Sequence, residues 1–490
     1  MSTTPSLTKK KDIRIQYLQF VIAAVILLIV AKFPVPQSFL KAGDAVLEPK
    51  GREALGILFF CLYLWITEPV PFHITGMIGV LLLTFFKLDN FVNIIKLGFG
   101  NDTVVFFIGV LILSAVITKS GLGKRISMFI LSLTGNKTTN VILGFLIAAD
   151  IIGMFITAMA VAAILMPIAK SMLDDEGLKP KESNFGRVLM LSVAFGACIS
   201  GITTPAAAGS NIIAMGFMKS MLNVNVSFLE WMLYGMPAAA LMIVPSWLVL
   251  ILMFKPEISH LSKTREDLKA EFKAMGPMNR DEISTTVIFT ITIVLWLSST
   301  FLNGLIGIDL SSTLPALICG VLFFMPGVIT FKWKEISNDI SWDNIILIAT
   351  GISLGLVMYS AGAAAWLANI LLGGIIGLHP LVMIFLIILI VTIIKVGLSS
   401  NTVTATIIVP IMAVLAKNYN LPLKGILIPT ALSLSLALIL VTSSPTNVIP
   451  YSTGYFSIAD MAKAGIVMSV ITAAIIALTV FGIGQLTGIY

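Results

Sequence analysis

Residues Lys395 to Thr404 place an ammonium group, a carboxamide and several hydroxyls inside an otherwise apolar segment. Such groups are costly at membrane depth unless they bind a ligand or one another, and glycine with a Ser-Ser-Asn run favours a helix break. We predict a helical hairpin near residues 380–417 that enters the bilayer, turns at Ser399–Thr402, and leaves on the side where it entered. The alternative is a kinked spanning helix whose hydroxyls bond to its own carbonyls.

The composition is that of a polytopic membrane protein. Of 490 residues, 58% are hydrophobic and 11% are charged, and the mean hydropathy is +1.02. A soluble domain has about 25% charged residues. At about 20 residues per span the chain has room for ten or so helices. The apolar segments lack the alternation of a membrane β-barrel, so we expect an all-α fold.

Candidates for metal or catalytic chemistry are scattered. The net charge of +7 comes from basic residues clustered in loops, which indicates membrane topology and no nucleic-acid partner. No HExxH, GxSxG or Walker pattern is present. We therefore predict no enzyme, no metal site and no cofactor. The histidines and cysteines are widely spaced: His73, His260, His379, Cys61, Cys198 and Cys319.

The two halves of the chain repeat each other. Three landmarks recur in the same order about 240 residues apart. They are Gly109 with Gly351, Pro167 with Pro410, and Asn211 with Asn447. Each repeat holds an odd number of crossings, so we predict inverted repeats. Inverted repeats with interrupted helices are typical of secondary transporters, whose binding site lies at the repeat interface.

Charge and hydropathy divide the chain into four parts. Residues 1–54 form an N-terminal cytoplasmic segment with the first transmembrane helix, and residues 255–282 form a charged cytoplasmic linker. Residues 55–254 form the first repeat, with a cytoplasm-facing hairpin near 139–171, and residues 283–490 form the second, with an outward-facing hairpin near 380–417. Basic clusters at Lys9–Arg14, at Lys119–Arg125 and in the linker satisfy the positive-inside rule. They predict a multi-pass protein of the cell membrane with a cytoplasmic N-terminus and an external C-terminus.

Four polar breaks are expected to converge: the two hairpin tips and the interruptions near 203–211 and 442–447. Broken helices present free N–H groups and positive dipole ends, which suit a carboxylate. A single Thr-Pro or Ser-Pro pair is otherwise a simple helix kink. The predicted substrate-binding residues are Thr157, Thr204, Pro205, Ser210, Asn211, Ser400, Asn401, Thr402, Ser444, Pro445, Thr446 and Asn447.

At these residues the sequence resembles the divalent anion/sodium symporters, including the 2-oxoglutarate/malate translocators. The motifs that carry the resemblance are Ser400-Asn401-Thr402, Thr204-Pro205, Ser210-Asn211, Ser444-Pro445 and Asn447. The resemblance implies about eleven transmembrane helices with two re-entrant hairpins, a homodimer and elevator-type movement. It implies C4–C6 substrates such as 2-oxoglutarate, malate, succinate, fumarate and citrate; some members carry sulfate.

The first repeat departs from that pattern. Thr157-Ala158-Met159 stands where a second Ser-Asn-Thr would be expected, which removes a carboxamide and speaks against sodium coupling. Lys395 and Asp150 precede the two tips, and we assign them to charge compensation, with Lys395 as a fixed cation in place of sodium. Alternatively, Lys395 pairs with Asp150 or extends to the membrane surface.

The sequence thus predicts sodium-independent exchange of dicarboxylates. The runner-up is sodium-coupled symport of dicarboxylates or sulfate. An ion channel and an intramembrane enzyme are rivals from other classes, and the enzyme lacks a nucleophile–base or metal set.

Overall fold

The computed structural model describes residues 13–43, 45–307 and 311–490. Lys9, Lys10 and Lys11, on which the predicted topology partly depends, lie outside these residues. The described chain is almost entirely helical, and its strands are one antiparallel pair, β1 (Lys41–Ala42) and β2 (Ala45–Val46). Seven of its helices are long and apolar enough to cross a membrane, and several shorter apolar helices accompany them. The predicted all-α polytopic membrane fold is confirmed.

Twelve helices precede the linker. Their bounds are α1 Ile13–Lys32, α2 Gln37–Leu40, α3 Pro49–Thr67, α4 Phe72–Phe85, α5 Phe91–Gly98, α6 Asp102–Ser120, α7 Leu122–Thr134, α8 Thr138–Gly153, α9 Ala158–Asp175, α10 Asn184–Ser200, α11 Gly209–Leu222 and α12 Phe228–Met253. A 3₁₀ turn at Pro205–Ala207 separates α10 from α11.

The linker and the second half contain eleven more helices. Their bounds are α13 Arg265–Ala274, α14 Arg280–Ile306, α15 Thr313–Leu322, α16 Trp333–Ser337, α17 Trp342–Ser360, α18 Ala363–Leu372, α19 Pro380–Val396, α20 Asn401–Asn418, α21 Leu423–Ser435, α22 Pro445–Tyr451 and α23 Ile458–Thr487. A second 3₁₀ turn, Val441–Ser443, separates α21 from α22, and a third lies at Gly373–Ile375.

Serine caps set the starts of three long helices. Ser183, Ser227 and Ser457 each accept a hydrogen bond from the backbone N–H three residues later. This satisfies one of the N–H groups that a helix start leaves without a partner. The polar residues between apolar segments therefore fix where α10, α12 and α23 begin.

The helices from α3 to α12 correspond one by one to those from α14 to α23. The correspondence appears in the packing: α6 contacts α15 while α17 contacts α4, and α11 contacts α20 while α22 contacts α9. In each of these two pairs of contacts, a helix of the first half and its counterpart in the second half make equivalent contacts. The repeat that the sequence predicts is therefore present in the tertiary structure.

Contacts around α12 show that the two halves are inverted. Glu257, just beyond the end of α12, accepts hydrogen bonds from Ser183 and from the backbone N–H of Phe185 at the start of α10. Glu230, at the other end of α12, forms an ion pair of 2.6 Å with Lys424 at the start of α21. The equivalent helices α10 and α21 therefore start at opposite faces of the protein.

The first hairpin is re-entrant. Helix α8 begins where Thr138 bonds to the backbone of Ile258 and Ser259 in the linker. Helix α9 ends where Asp175 and Glu176 contact the linker residues Lys263 and Ser262. Both arms thus begin and end at the linker face, and the chain turns at residues 154–157.

The second hairpin is re-entrant from the opposite face. At the start of α19, the ring of His379 lies 5.4 Å from that of Phe481, near the C-terminal end of α23. At the end of α20, Lys417 hydrogen bonds to the hydroxyl of Tyr359 at the end of α17. The chain turns at residues 397–400, so the alternative of a kinked spanning helix is wrong.

Seven of the described helices are long and apolar enough to cross a membrane, so the total of about eleven transmembrane helices stays a prediction. The side-chain amide of Gln16, in the first turn of α1, donates to the Pro69 carbonyl, which follows α3 on the linker face. The Tyr490 hydroxyl donates to the Gly425 carbonyl on the opposite face. The start of α1 and residue Tyr490 therefore lie at opposite faces of the protein. Helices α3 and α14, the first of the corresponding helices, begin at Pro49 and Arg280, and the repeat boundaries at 55 and 283 stay predictions.

Candidate functional site

The hairpin tips are built alike in the two repeats. Thr157 caps α9 by accepting from the N–H of Ala160 at 3.4 Å, and Ser400 caps α20 by accepting from the N–H of Val403 at 3.3 Å. Thr157 therefore occupies the place of the serine in Ser400-Asn401-Thr402. Because Ala158 and Met159 follow it, the first tip lacks the carboxamide and second hydroxyl of the other tip.

The two helix interruptions are closed by equivalent asparagines. The Asn211 side-chain amide donates to the carbonyls of Gly201 and Thr204 at 2.7 and 2.9 Å. The Asn447 amide donates to the carbonyls of Ala437 and Leu440 at 2.6 and 3.3 Å. Both side chains are fully buried. In this conformation their amide groups therefore satisfy carbonyls that the helix breaks expose, and their predicted role in binding substrate stays a prediction.

Ser435 joins the first interruption to the second hairpin tip. Its hydroxyl lies 2.9 Å from that of Ser210 and donates to the Asn211 side-chain oxygen at 3.1 Å. Its carbonyl accepts a long hydrogen bond of 3.5 Å from the Asn401 amide. Sequence reasoning missed Ser435, because it lies at the end of an apolar helix with no motif around it.

Cys198 connects the two interruptions directly. Its thiol contacts the side-chain oxygen of Asn447 at 3.3 Å, although it belongs to α10 of the other repeat. Cys198 is a free, buried cysteine. With the contacts of Ser435, this brings three of the four predicted breaks together.

The fourth break, the first hairpin tip, meets the first interruption through Thr204. The Thr204 hydroxyl donates to the Met154 carbonyl at 2.6 Å, and the Thr157 N–H donates to the Ser114 hydroxyl at 3.3 Å. Thr204 and Pro205 are buried. These residues fix the position of the tip relative to the interruption.

The second interruption leaves part of its surface open. Ser444 caps α22 by accepting from the N–H of Thr446 at 3.3 Å, and both side chains are buried. Pro445 and Thr442 are exposed. Thr442 was not among the predicted site residues, and its exposed hydroxyl adds a polar group at this break.

The amino end of α11 is the feature best suited to an anion. Its N-cap residue, Ala208, has no side-chain oxygen with which to cap the first N–H groups. The Thr402 hydroxyl lies 3.5 Å from the position that a Cβ on Gly209 would occupy. A helix start carries a partial positive charge and free N–H donors. Together with the half-buried Ser400, Asn401 and Thr402, it forms a group of neighbouring hydrogen-bond donors.

Lys395 lies beside the carboxyl end of helix α21. Its ammonium group donates to the carbonyl of Leu434, in the last turn of α21, and the residue is 2% exposed. The carboxyl end of a helix carries a partial negative charge that favours a cation. Lys395 does not extend to the membrane surface, and no ion pair joins it to Asp150 in the described structure.

A cavity of about 460 Å³ lies away from these breaks, between α6, α11, α12, α14 and α15. Its charged lining residues are all paired: Lys219 pairs with Asp102 at 2.5 Å, and Glu230 pairs with Lys424, which lies outside the lining. None of the predicted site residues lines it. The convergence of the breaks is therefore the stronger candidate site.

A helical membrane protein with inverted repeats, whose interrupted helices meet between the halves, has the architecture of a secondary transporter. The sequence matches the family profile described as the sodium:sulfate symporter transmembrane region over residues 14–488. The chain belongs to this family, the divalent anion/sodium symporters of the sequence analysis. Its members are transporters and not enzymes.

Relatives with assigned activities cover most of the chain. The chain is 28% identical over 451 residues to the sodium-dependent dicarboxylate transporter SdcS of Staphylococcus saprophyticus, covering 89% of this chain and 86% of the relative. It is 27% identical over 448 residues to SdcS of Staphylococcus aureus, covering 88% of this chain and 86% of the relative.

Two solved structures share the fold. The YdaH transporter of Alcanivorax borkumensis superimposes with a TM-score of 0.55 at 12% identity, covering 97% of this chain and 98% of the other. The MtrF antimetabolite efflux pump of Neisseria gonorrhoeae gives a TM-score of 0.52 at 13% identity, covering 95% and 94%. At these identities the likeness concerns the fold alone.

Proposed function

We propose that this protein is a secondary active transporter of C4–C6 dicarboxylates. The observation that carries the proposal is the meeting of the second hairpin tip with the uncapped amino end of α11. The activity assigned to the SdcS relatives supports the same substrate class.

The proposed site binds a dianion with neutral donors. One carboxylate accepts hydrogen bonds from the Asn401 amide, from the hydroxyls of Ser400 and Thr402, and from the first N–H groups of α11. The Asn401 side-chain oxygen accepts no hydrogen bond from the described residues, so its amide is weakly held and free to turn toward a ligand. Hydrogen bonds to charged groups are stronger than neutral ones. The exposed Thr442 and the first tip then face the second carboxylate.

The proposal also includes the transport movement, the oligomeric state and the orientation of the protein in the membrane. The elevator mechanism and the homodimer come from the family resemblance. Lys119, Lys124 and Arg125 lie at the linker face, which supports a cytoplasmic position for that face. The N-terminus is then cytoplasmic and the C-terminus external in the cell membrane.

The comparisons favour sodium-coupled symport, since the relatives are named sodium-dependent. The sequence alone favours sodium-independent exchange over sodium-coupled symport. In a symporter, sodium would be held by backbone carbonyls at the helix breaks. Asn211 and Asn447 already occupy four of those carbonyls, which leaves fewer for an ion.

A specific observation favours exchange. The buried ammonium of Lys395 bonds to the end of α21, a position where a bound cation would otherwise balance the substrate. An empty carrier would then have to move a buried charge without its anion, at a cost of several kcal/mol. That penalty would hold back the unloaded carrier and enforce exchange.

Labelled succinate uptake into proteoliposomes tests both mechanisms. Uptake that needs internal dicarboxylate and ignores sodium supports exchange, whereas sodium-driven uptake into empty vesicles supports symport. Asn401→Ala should weaken binding in either case, and Asn418→Ala, at the exposed end of the same helix, is the matched control. Saturable sulfate uptake without succinate uptake would contradict the substrate class, and conductance without trans-stimulation would indicate a channel.

A further inference from the structure

Asp150 is a buried carboxyl group close to the first hairpin tip. It is 5% exposed and lies in the last turn of α8. The N–H of Met154 donates to its backbone carbonyl at 3.1 Å, and the Met154 carbonyl in turn accepts from Thr204 at the first interruption. Asp150 is thus one helical turn from the contact that holds the tip to the interruption.

The Asp150 carboxyl group has no hydrogen-bond or ion-pair partner in the described part of the chain. Its Oδ1 is buried and forms no hydrogen bond with the described residues, and the side chain belongs to no ion pair among them. An ionised carboxylate buried without a partner is strongly unfavourable in a membrane protein. The position is also peculiar to the first repeat, because the residue at the same distance before the second tip is the exposed Ile393.

The helices packed against α8 supply no compensating charge. These helices are α7, α9, α10 and α12. Most of their charged groups are paired elsewhere: Arg125 with Glu282, Lys170 with Asp174, Asp175 with Lys263, Arg187 with Asp460 and Glu230 with Lys424. Lys124 is exposed. Cys198 and Tyr234 are buried, and neither forms a hydrogen bond with Asp150 in the described part of the chain. Among the described residues, Asp150 therefore has no ion-pair partner on the helices packed against α8.

We propose that Asp150 is a proton-binding site that couples proton binding to movement of the first hairpin. A proton from water binds the carboxylate and forms an O–H bond, so that the side chain is neutral while it is buried as in this conformation. When the tip leaves the interruption and exposes the group to water, the proton returns to water. This rests on the proposed transport function and adds a coupling ion to it. The first tip lacks the Asn side chain of the second, and Asp150 supplies a titratable group in its place.

The test uses reconstituted full-length protein and labelled fumarate, whose two carboxyl groups stay ionised from about pH 6 to about pH 8.5. Wild-type uptake should fall as the pH rises, by up to about tenfold per pH unit once the required proton is lost. Asp150→Asn, which mimics the neutral form, should transport at a rate that varies less than about twofold over that range. Asp174→Asn, the same substitution on an exposed, loosely paired residue of the same hairpin, should keep the wild-type profile.

A pH-sensitive dye inside the vesicles provides a second measurement. Wild-type uptake should carry protons, and Asp150→Asn uptake should not. Asp150→Glu keeps a titratable group and should restore proton movement. If Asp150→Asn keeps the wild-type pH profile and still moves protons, the proposal is wrong. If wild-type fumarate uptake is pH-independent and moves no protons, it is also wrong, although the transport function stands. A complete lack of uptake by the wild type overturns the transport function and this proposal with it.

Discussion

Lys395 donates a hydrogen bond to the carbonyl of Leu434, which places a buried ammonium group at the carboxyl end of α21. The two residues come from different parts of the second repeat, one in the hairpin and one in the interrupted helix. A movement that separates hairpin and helix would remove the only hydrogen-bond partner that the described structure gives this cation.

Replacing Lys395 by methionine should uncouple exchange. The variant carries no charge through the membrane when empty, so its uptake into vesicles without internal dicarboxylate should rise by about tenfold relative to exchange. Trans-stimulation of labelled succinate uptake measures the ratio. Lys417→Met, an exposed lysine on α20, is the control. An unchanged ratio in Lys395→Met would show that the lysine does not enforce exchange.

Removing either interruption asparagine should destabilise the protein. Asn211→Ala and Asn447→Ala each leave two buried carbonyls without a donor, which costs about 2–4 kcal/mol. Thermal unfolding in detergent should show both variants melting earlier, whereas Asn338→Ala, on an exposed loop, should melt like the wild type. Equal melting temperatures for all three would contradict the structural role assigned to these amides.

Asn401→Ala should weaken substrate binding without unfolding the protein. A hydrogen bond to a charged group contributes about 1.5–3 kcal/mol, so the KM for succinate should rise by about tenfold to about a hundredfold. The measurement is the concentration dependence of initial uptake, with Asn418→Ala as the control. A KM equal to that of the wild type would remove Asn401 from the site.

Gly153→Ala should disturb the contact between the first tip and α10. A Cβ at Gly153 would overlap the Ser200 side chain. Such overpacking costs about 1–3 kcal/mol. The melting temperature and uptake of the single variant should therefore fall, and the added change Ser200→Gly should restore them. Failure of the second substitution to rescue the first would mean that the two residues are not in contact during folding or transport.

The class of fold and the places where the helices break can be predicted from the amino-acid pattern alone. Apolar segments of helical length give the spans, because lipid offers no partner for an unbonded backbone. Glycine, proline and short polar side chains break a helix through local geometry, which is why both hairpins and both interruptions are visible in the sequence. Thr157 and Ser400 match for the same reason, since a helix cap depends on neighbours in the chain.

Which polar groups meet depends on how the helices pack against one another. The Ser435 contacts with Ser210 and Asn211, and the contact between Cys198 and Asn447, join residues more than 200 positions apart, and no local pattern marks them. The bond of Lys395 to Leu434 and the lack of any partner for Asp150 likewise follow from packing. Burial sets the energy of a charge, and burial is a property of the assembled helices and not of any one segment.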